Sequence, residues 1–217
     1  MKMAEDPYRF LSKVYDFFVG PALRRIRNNC LDFIPPSVGT PVLDIACGTG
    51  LLLTDIACRY PRHRLYGIDR SRSMLEKAVR KRSNAPILWI LGHGGKTPFP
   101  SETFAIITVI YALHEMEPSD RIRILREAAR ILAKTGRLLA VDYDVESFRE
   151  KGWRNAPSWG THVIERIAGR DHYRHFRHFL KQGGLLPLVE GAGFSVVENR
   201  RIERQQARIV LAEKTRA

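Results

Sequence analysis

The stretch Val42-Leu43-Asp44-Ile45-Ala46-Cys47-Gly48-Thr49-Gly50 decides the fold. Val42, Leu43 and Ile45 are β-branched or apolar and read as a buried central strand. Gly48 and Gly50 let the chain turn sharply and approach a ligand with no Cβ in the way. Leu51 to Tyr60 then reads as a helix whose N-terminus points at the turn. Asp44 sits near the strand's carboxyl end, where open parallel sheets hold their ligands. Parallel sheets also carry such turns for packing alone, so the decision needs the residues on either side.

Arg64-Leu65-Tyr66-Gly67-Ile68-Asp69 is the next strand. Asp69 follows Gly48 by about 20 residues, the spacing at which an acidic side chain meets the ribose hydroxyls of an adenosine. The dinucleotide fingerprint needs a third glycine, and Leu53 stands in its place. A diphosphate would therefore lack part of its cradle. A ligand with adenosine but no phosphates, such as S-adenosylmethionine, fits better.

Strand and helix alternate along the chain, as a doubly wound α/β sheet requires. Tyr8 to Phe33 is a helical lead-in, closed by Pro35-Pro36. Ser71 is placed to cap a helix running to Arg82. Ile87 to Leu91 is a third strand, and the almost continuously apolar Phe104 to Ile110 a fourth, buried on both faces. Pro118 opens a helix with Ile124, Leu125, Ala128, Ile131 and Leu132 on one face, and Gly136 is read just past its end. Arg137 to Asp142 is the fifth strand. Phe194 to Asn199 and Ala207 to Ala212 close the set.

Several motifs in order carry a family resemblance: Val42 to Gly50, Gly67-Ile68-Asp69 with Ser73-Met74-Leu75, Thr97 to Phe104, and Ala112-Leu113-His114-Glu115-Met116. This pattern resembles the class I S-adenosylmethionine-dependent methyltransferases, in particular the type 11 group that includes the ubiquinone/menaquinone-biosynthesis enzymes. It runs from Val42 to Asp142, with echoes at Val14-Tyr15-Asp16 and Gly191-Ala192-Gly193-Phe194. The resemblance implies a seven-stranded, mostly parallel sheet with the last strand antiparallel. Residues 1–40 would form a helical cap and 41–217 the methyltransferase domain, within which 143–193 form a substrate lid.

The resemblance also implies roles. Cys47, Gly48 and Gly50 would pass close to the methionine part of S-adenosylmethionine, with Asp44 near its ammonium. Asp69 would accept from the ribose, Arg70 and Met74 would flank the adenine, and Tyr111 would touch the cofactor. The family's usual adenine-binding Asp is replaced by Gly92-His93, so either the His93 ring or a backbone carbonyl accepts from the adenine amino group. The family's frequent Asp after Phe104 is Ala105 here. His114 is the expected general base if the acceptor must lose a proton. Tyr15, Tyr143, His172 and His175 are expected around the acceptor.

The expected acceptor is a small apolar or aromatic molecule. Phospholipid head groups or another membrane-surface substrate are the alternative, and a cofactor-binding protein without catalysis is a third reading. The net charge of +13 prompts the second, but Lys and Arg are spread along the chain, as on a solvated basic surface. Nucleic acid is not expected as substrate, since the Asn/Asp-Pro-Pro-Tyr/Phe motif of base methylation is absent where Tyr111-Ala112-Leu113-His114 stands. A polar start without a secretory signal and three cysteines without metal-type spacing lead us to expect a cytoplasmic protein.

Four of the seven histidines fall between the fifth and sixth strands, at His162, His172, His175 and His178. The last three recur every third residue on an amphipathic helix, beside a stripe of Tyr173, Phe176 and Leu180. The familiar two-histidine metal arrangement needs i and i+4, which does not occur here, so no metal site is expected. The sequence assigns no oligomeric state.

Overall fold

A computed structural model describes residues 11–151, 170–203 and 206–215. Its strands are β1 (Pro41–Ile45), β2 (Arg64–Asp69), β3 (Ile87–Leu91), β4 (Phe104–Ile110), β5 (Leu132–Tyr143), β6 (Phe194–Ile202) and β7 (Ala207–Lys214). They form one sheet in the order β3-β2-β1-β4-β5-β7-β6. The five strands β1 to β5 are mutually parallel, while β7 lies antiparallel between β5 and β6. This is the expected doubly wound sheet with the last strand reversed.

Alternate side chains leave the two faces of each strand, so one short run supplies both layers. Val42 joins the core under α1 (Leu11–Leu31), α2 (Leu51–Arg59) and α3 (Arg72–Val79). Leu43 and Ile45 join the opposite core, under α4 (Pro118–Ile131), α6 (Arg170–Lys181) and α7 (Leu185–Gly191). A short α5 (Val145–Lys151) follows β5. α1 is tied to α2 by Arg27, whose Nε lies 2.6 Å from Asp55 Oδ2. Ser71 caps α3 as expected, its hydroxyl accepting from the Met74 amide at 3.2 Å.

One element differs from the sequence reading. Gly136 is not a helix cap: α4 ends at Ile131 and the chain passes straight into β5. The β4–β5 register then slips, from Phe104 opposite Leu132 to Ile106 opposite Arg137. A Cβ on Gly136 would stand 2.8 Å from the Phe104 carbonyl oxygen, so the glycine answers a close backbone approach at this irregularity. Lys214 Nζ donates to the Leu132 carbonyl at 2.8 Å and satisfies that end of the helix.

The strand order reverses beside β1, which stands between β2 and β4. In a doubly wound sheet this switch point opens a crevice at the carboxyl ends of the strands. The glycine turn leaves β1 at that place.

Candidate functional site

Two residues on this rim hold a left-handed backbone without being glycine: Ala46 (φ 56°), after β1, and Tyr111 (φ 50°), after β4. Such conformations cost on the order of 1–3 kcal/mol and persist where the surroundings enforce them. The Tyr111 amide is fixed to the Val141 carbonyl at 2.8 Å, and the Cys47 amide to the Ile68 carbonyl at 3.2 Å. The strained residues thus bracket the crevice from adjacent strands.

Asp69, at the end of β2, ties the turn to α3. Its Oδ2 accepts from the Gly48 amide at 2.7 Å and its Oδ1 from the Ser71 amide at 2.8 Å. Asp44 is buried, and its Oδ1 accepts from the Thr108 hydroxyl at 2.6 Å. Burial pushes its carboxyl up from 3.8 to about 7; the Thr108 bond opposes the rise and the Asp69 charge adds to it. Burial also holds the Cys47 thiol well above its ordinary range, so Cys47 serves as a small neutral side chain and not as a thiolate.

The two glycines of the turn do different work. A Cβ on Gly48 would meet nothing within 4 Å, so open space lies beside the turn. A Cβ on Gly50 would sit 2.3 Å from the Trp89 indole, and one on Gly67 would sit 2.7 Å from it. Trp89, on β3 opposite Gly67, therefore lies across the β2 backbone toward the turn. Sequence reasoning passed it over, although a tryptophan paired with a strand glycine is a legible sign of such packing.

Arg70 is exposed just beyond β2, and Met74 is buried in α3. His93 lies just past the end of β3. Its Nδ1 accepts from the Gly95 amide at 3.0 Å, which puts the ring proton on Nε2, 3.6 Å from Asp120 Oδ2.

Across the crevice, His114 belongs to a single 3-10 turn, Leu113–Glu115, and is buried. Its Nδ1 lies 2.7 Å from Asp142 Oδ1, and its amide donates to Asp142 Oδ2 at 3.0 Å. The carboxylate accepts, so the imidazole carries a proton on Nδ1. Asp142 is fully buried and also accepts from the Tyr143 amide at 2.8 Å. Aromatic rings close around the pair: Tyr143 lies 4.8 Å from His114 between centroids, His172 5.8 Å, Phe176 6.1 Å and Tyr111 6.4 Å.

His172 and His175 come from α6 and both reach the His114 turn. His175 Nδ1 donates to the Glu115 carbonyl at 3.0 Å, and His172 Nδ1 lies 3.5 Å from Glu115 Oε2. The buried stripe of α6 is Phe176 with Phe179, while Tyr173 and Leu180 are half-buried. The Tyr15 side chain and His162 lie outside the described residues.

Arg121, on α4, is the clasp between these parts. It is 2% exposed, and donates to the carbonyls of Leu113 (2.7 Å), His114 (3.1 Å) and His175 (2.7 Å). Burial lowers its pKa to about 10, with Asp142 opposing, so it remains charged at neutral pH.

A family model described as a methyltransferase domain matches residues 42–136. The demethylmenaquinone methyltransferase of Thermotoga maritima is 30% identical over 201 residues, 88% of this chain and 84% of that protein. A ubiquinone/menaquinone biosynthesis C-methyltransferase of Desulfotalea psychrophila is 34% identical over 114 residues, 51% of this chain and 46% of that one. In shape, the chain is similar to a methyltransferase solved in complex with the Trm112 methyltransferase activator of Haloferax volcanii. That match has a TM-score of 0.73 and 15% identity, over 99% of this chain and 100% of the other. The chain belongs to the class I S-adenosylmethionine-dependent methyltransferases, and S-adenosylmethionine is its cofactor. The open space beside Gly48, the anchored Asp69 and the buried Asp44 fit that ligand.

Proposed function

We propose that the chain transfers the cofactor's methyl group to a small apolar or aromatic acceptor at the strand-end rim, with His114 as the base. The supporting observation is the His114–Asp142 pair, Nδ1 to Oδ1 at 2.7 Å, set among Tyr111, Tyr143 and Phe176. The bound cofactor supplies an electrophilic methyl carbon on a sulfonium that leaves readily. The protein's share is alignment and a dry enclosure. Asp142 keeps Nδ1 protonated, which leaves Nε2 to take the proton from an acceptor hydroxyl as the new bond to the methyl carbon forms. Asp44 and the turn at Cys47 and Gly48 would hold the methionine end, and Asp69 the ribose.

The Thermotoga relative is named for demethylmenaquinone, so phenolic and quinol rings are the first acceptors to test. Purified protein, cofactor and a panel of such acceptors are incubated and S-adenosylhomocysteine is measured by mass spectrometry. His114→Ala is expected to lower kcat by about 10²–10⁴-fold on the best acceptor. Unchanged turnover would remove the base role. Asp69→Ala is expected to weaken S-adenosylhomocysteine binding by about 1–3 kcal/mol in calorimetry.

A membrane-surface acceptor is the second reading, favoured by exposed Arg24 and Arg25 on α1. Arg27 of the same run is turned inward, and no described helix is long and apolar enough to cross a membrane. Co-sedimentation with anionic vesicles at physiological salt would support this reading, and a protein left in the supernatant would count against it. A cytoplasmic location belongs to the proposal, supported by three cysteines that form no disulfide.

A further inference from the structure

The turn that carries His114 brings two neighbouring metal-type donors, His114 and Glu115, together with a third, His172, that is far away in sequence. A ring nitrogen of His114, a carboxylate oxygen of Glu115 and a ring nitrogen of His172 all lie within 4.8 Å of one another. All three are shielded, with side-chain exposures of 5%, 20% and 17%. The His172 Nδ1 to Glu115 Oε2 distance, 3.5 Å, is long for a hydrogen bond. It is close to the roughly 3.4 Å edge of a tetrahedron with 2.1 Å metal–ligand bonds.

We propose that His114 Nε2, Glu115 and His172 Nδ1 bind a divalent transition-metal ion of the zinc class. Two imidazoles and a carboxylate are a borderline-soft set that suits such ions better than calcium or magnesium. The outer layer is already built. Asp142 holds the His114 Nδ1 proton, the arrangement that orients a ligating histidine and raises its basicity. His175 fixes the Glu115 backbone, and Arg121 joins the turn to α6 through the His114 and His175 carbonyls. A tetrahedral ion held by three protein ligands keeps a fourth position for water or an acceptor oxygen. The assignment rests on the mutual geometry of the three donors and not on methyl transfer. An ion on Nε2 and a proton on Nε2 exclude each other, so a bound ion inhibits any transfer that uses His114 as base.

The test is titration of the purified full chain with Co²⁺, without cofactor or acceptor, followed by visible absorption. One equivalent is expected to give the intense bands of tetrahedral cobalt, and Zn²⁺ to displace them. Asp142→Asn is expected to weaken binding about 10–100-fold, and the loss of a direct ligand in Glu115→Gln or His172→Ala by at least that much. Circular dichroism checks that each variant is folded. No saturable band, or equal affinity in wild type, Glu115→Gln and His172→Ala, would overturn the proposal. S-adenosylhomocysteine binding, measured separately, would leave the cofactor site untouched by either result.

Discussion

At the scale of single residues, Asp44 is the group through which the proposed cofactor contact would be read. Its carboxyl is raised from 3.8 to about 7 in the ligand-free protein. Between those values the folded chain holds a proton that the unfolded chain has lost, so this group makes stability fall as pH rises from about 4 to 7. A cationic ammonium placed beside it favours the carboxylate. Cofactor binding is therefore expected to release a proton near neutrality and to tighten as pH rises from 6 to about 8. Calorimetry in two buffers of different ionisation enthalpy measures that proton, and Asp44→Asn should abolish its release. Gly50 makes a different prediction. Its backbone is left-handed (φ 75°) and its Cβ position lies against Trp89, so Gly50→Ala is expected to cost roughly 1–3 kcal/mol in denaturant unfolding. Adding Trp89→Leu should recover the part due to crowding and leave the part due to φ.

At the scale of elements, the short apolar strands were legible. The β2, β3 and β4 bounds follow from short apolar runs bounded by turn residues, with no help from distant contacts. The α4–β5 junction was not legible, because a glycine near a helix end looks the same whether it caps the helix or lets another strand approach. Only the Phe104 carbonyl decides between the two, and it lies on a different strand. The site divides in the same way. Asp44, Gly48 and Asp69 sit on one local pattern, and their mutual geometry could be read from spacing. The histidines of α6 could not, since their partners are Glu115 and Arg121, contributed by another segment of the chain. Looking for i and i+4 pairs within one helix misses a cluster assembled between two. Arg121→Lys tests how much that assembly depends on one side chain. A single ammonium cannot serve three carbonyls in a fixed fork, and the substitution is expected to cost roughly 2–4 kcal/mol. Hydrogen exchange should quicken first in α6 and the Leu113–Glu115 turn, with β1 to β4 little changed. Equal quickening throughout the sheet would contradict this.

At the scale of the whole molecule, a charged cluster joins α5 to the antiparallel end of the sheet. Asp144 is 1% exposed and accepts from Arg208 Nε at 2.8 Å, Arg201 Nε at 2.9 Å and the Ser147 hydroxyl at 2.6 Å. Burial raises its pKa, but the Ser147 and Arg208 bonds outweigh that and leave it below its ordinary value. Its stabilising contribution is present above about pH 4 and is lost as pH falls through the lower folded value. Arg208→Met should therefore move the acid-unfolding midpoint upward, read by fluorescence across pH 2 to about 6. The clasp at Arg121 has a consequence for the order of events in a catalytic cycle. If α6 lifts to admit an acceptor, the His175 carbonyl is drawn off the guanidinium, while Arg121 keeps the Leu113 and His114 carbonyls and Asp142 keeps the His114 ring. Opening would then cost the contacts of one helix only, and the rim would keep its shape for the next molecule to enter.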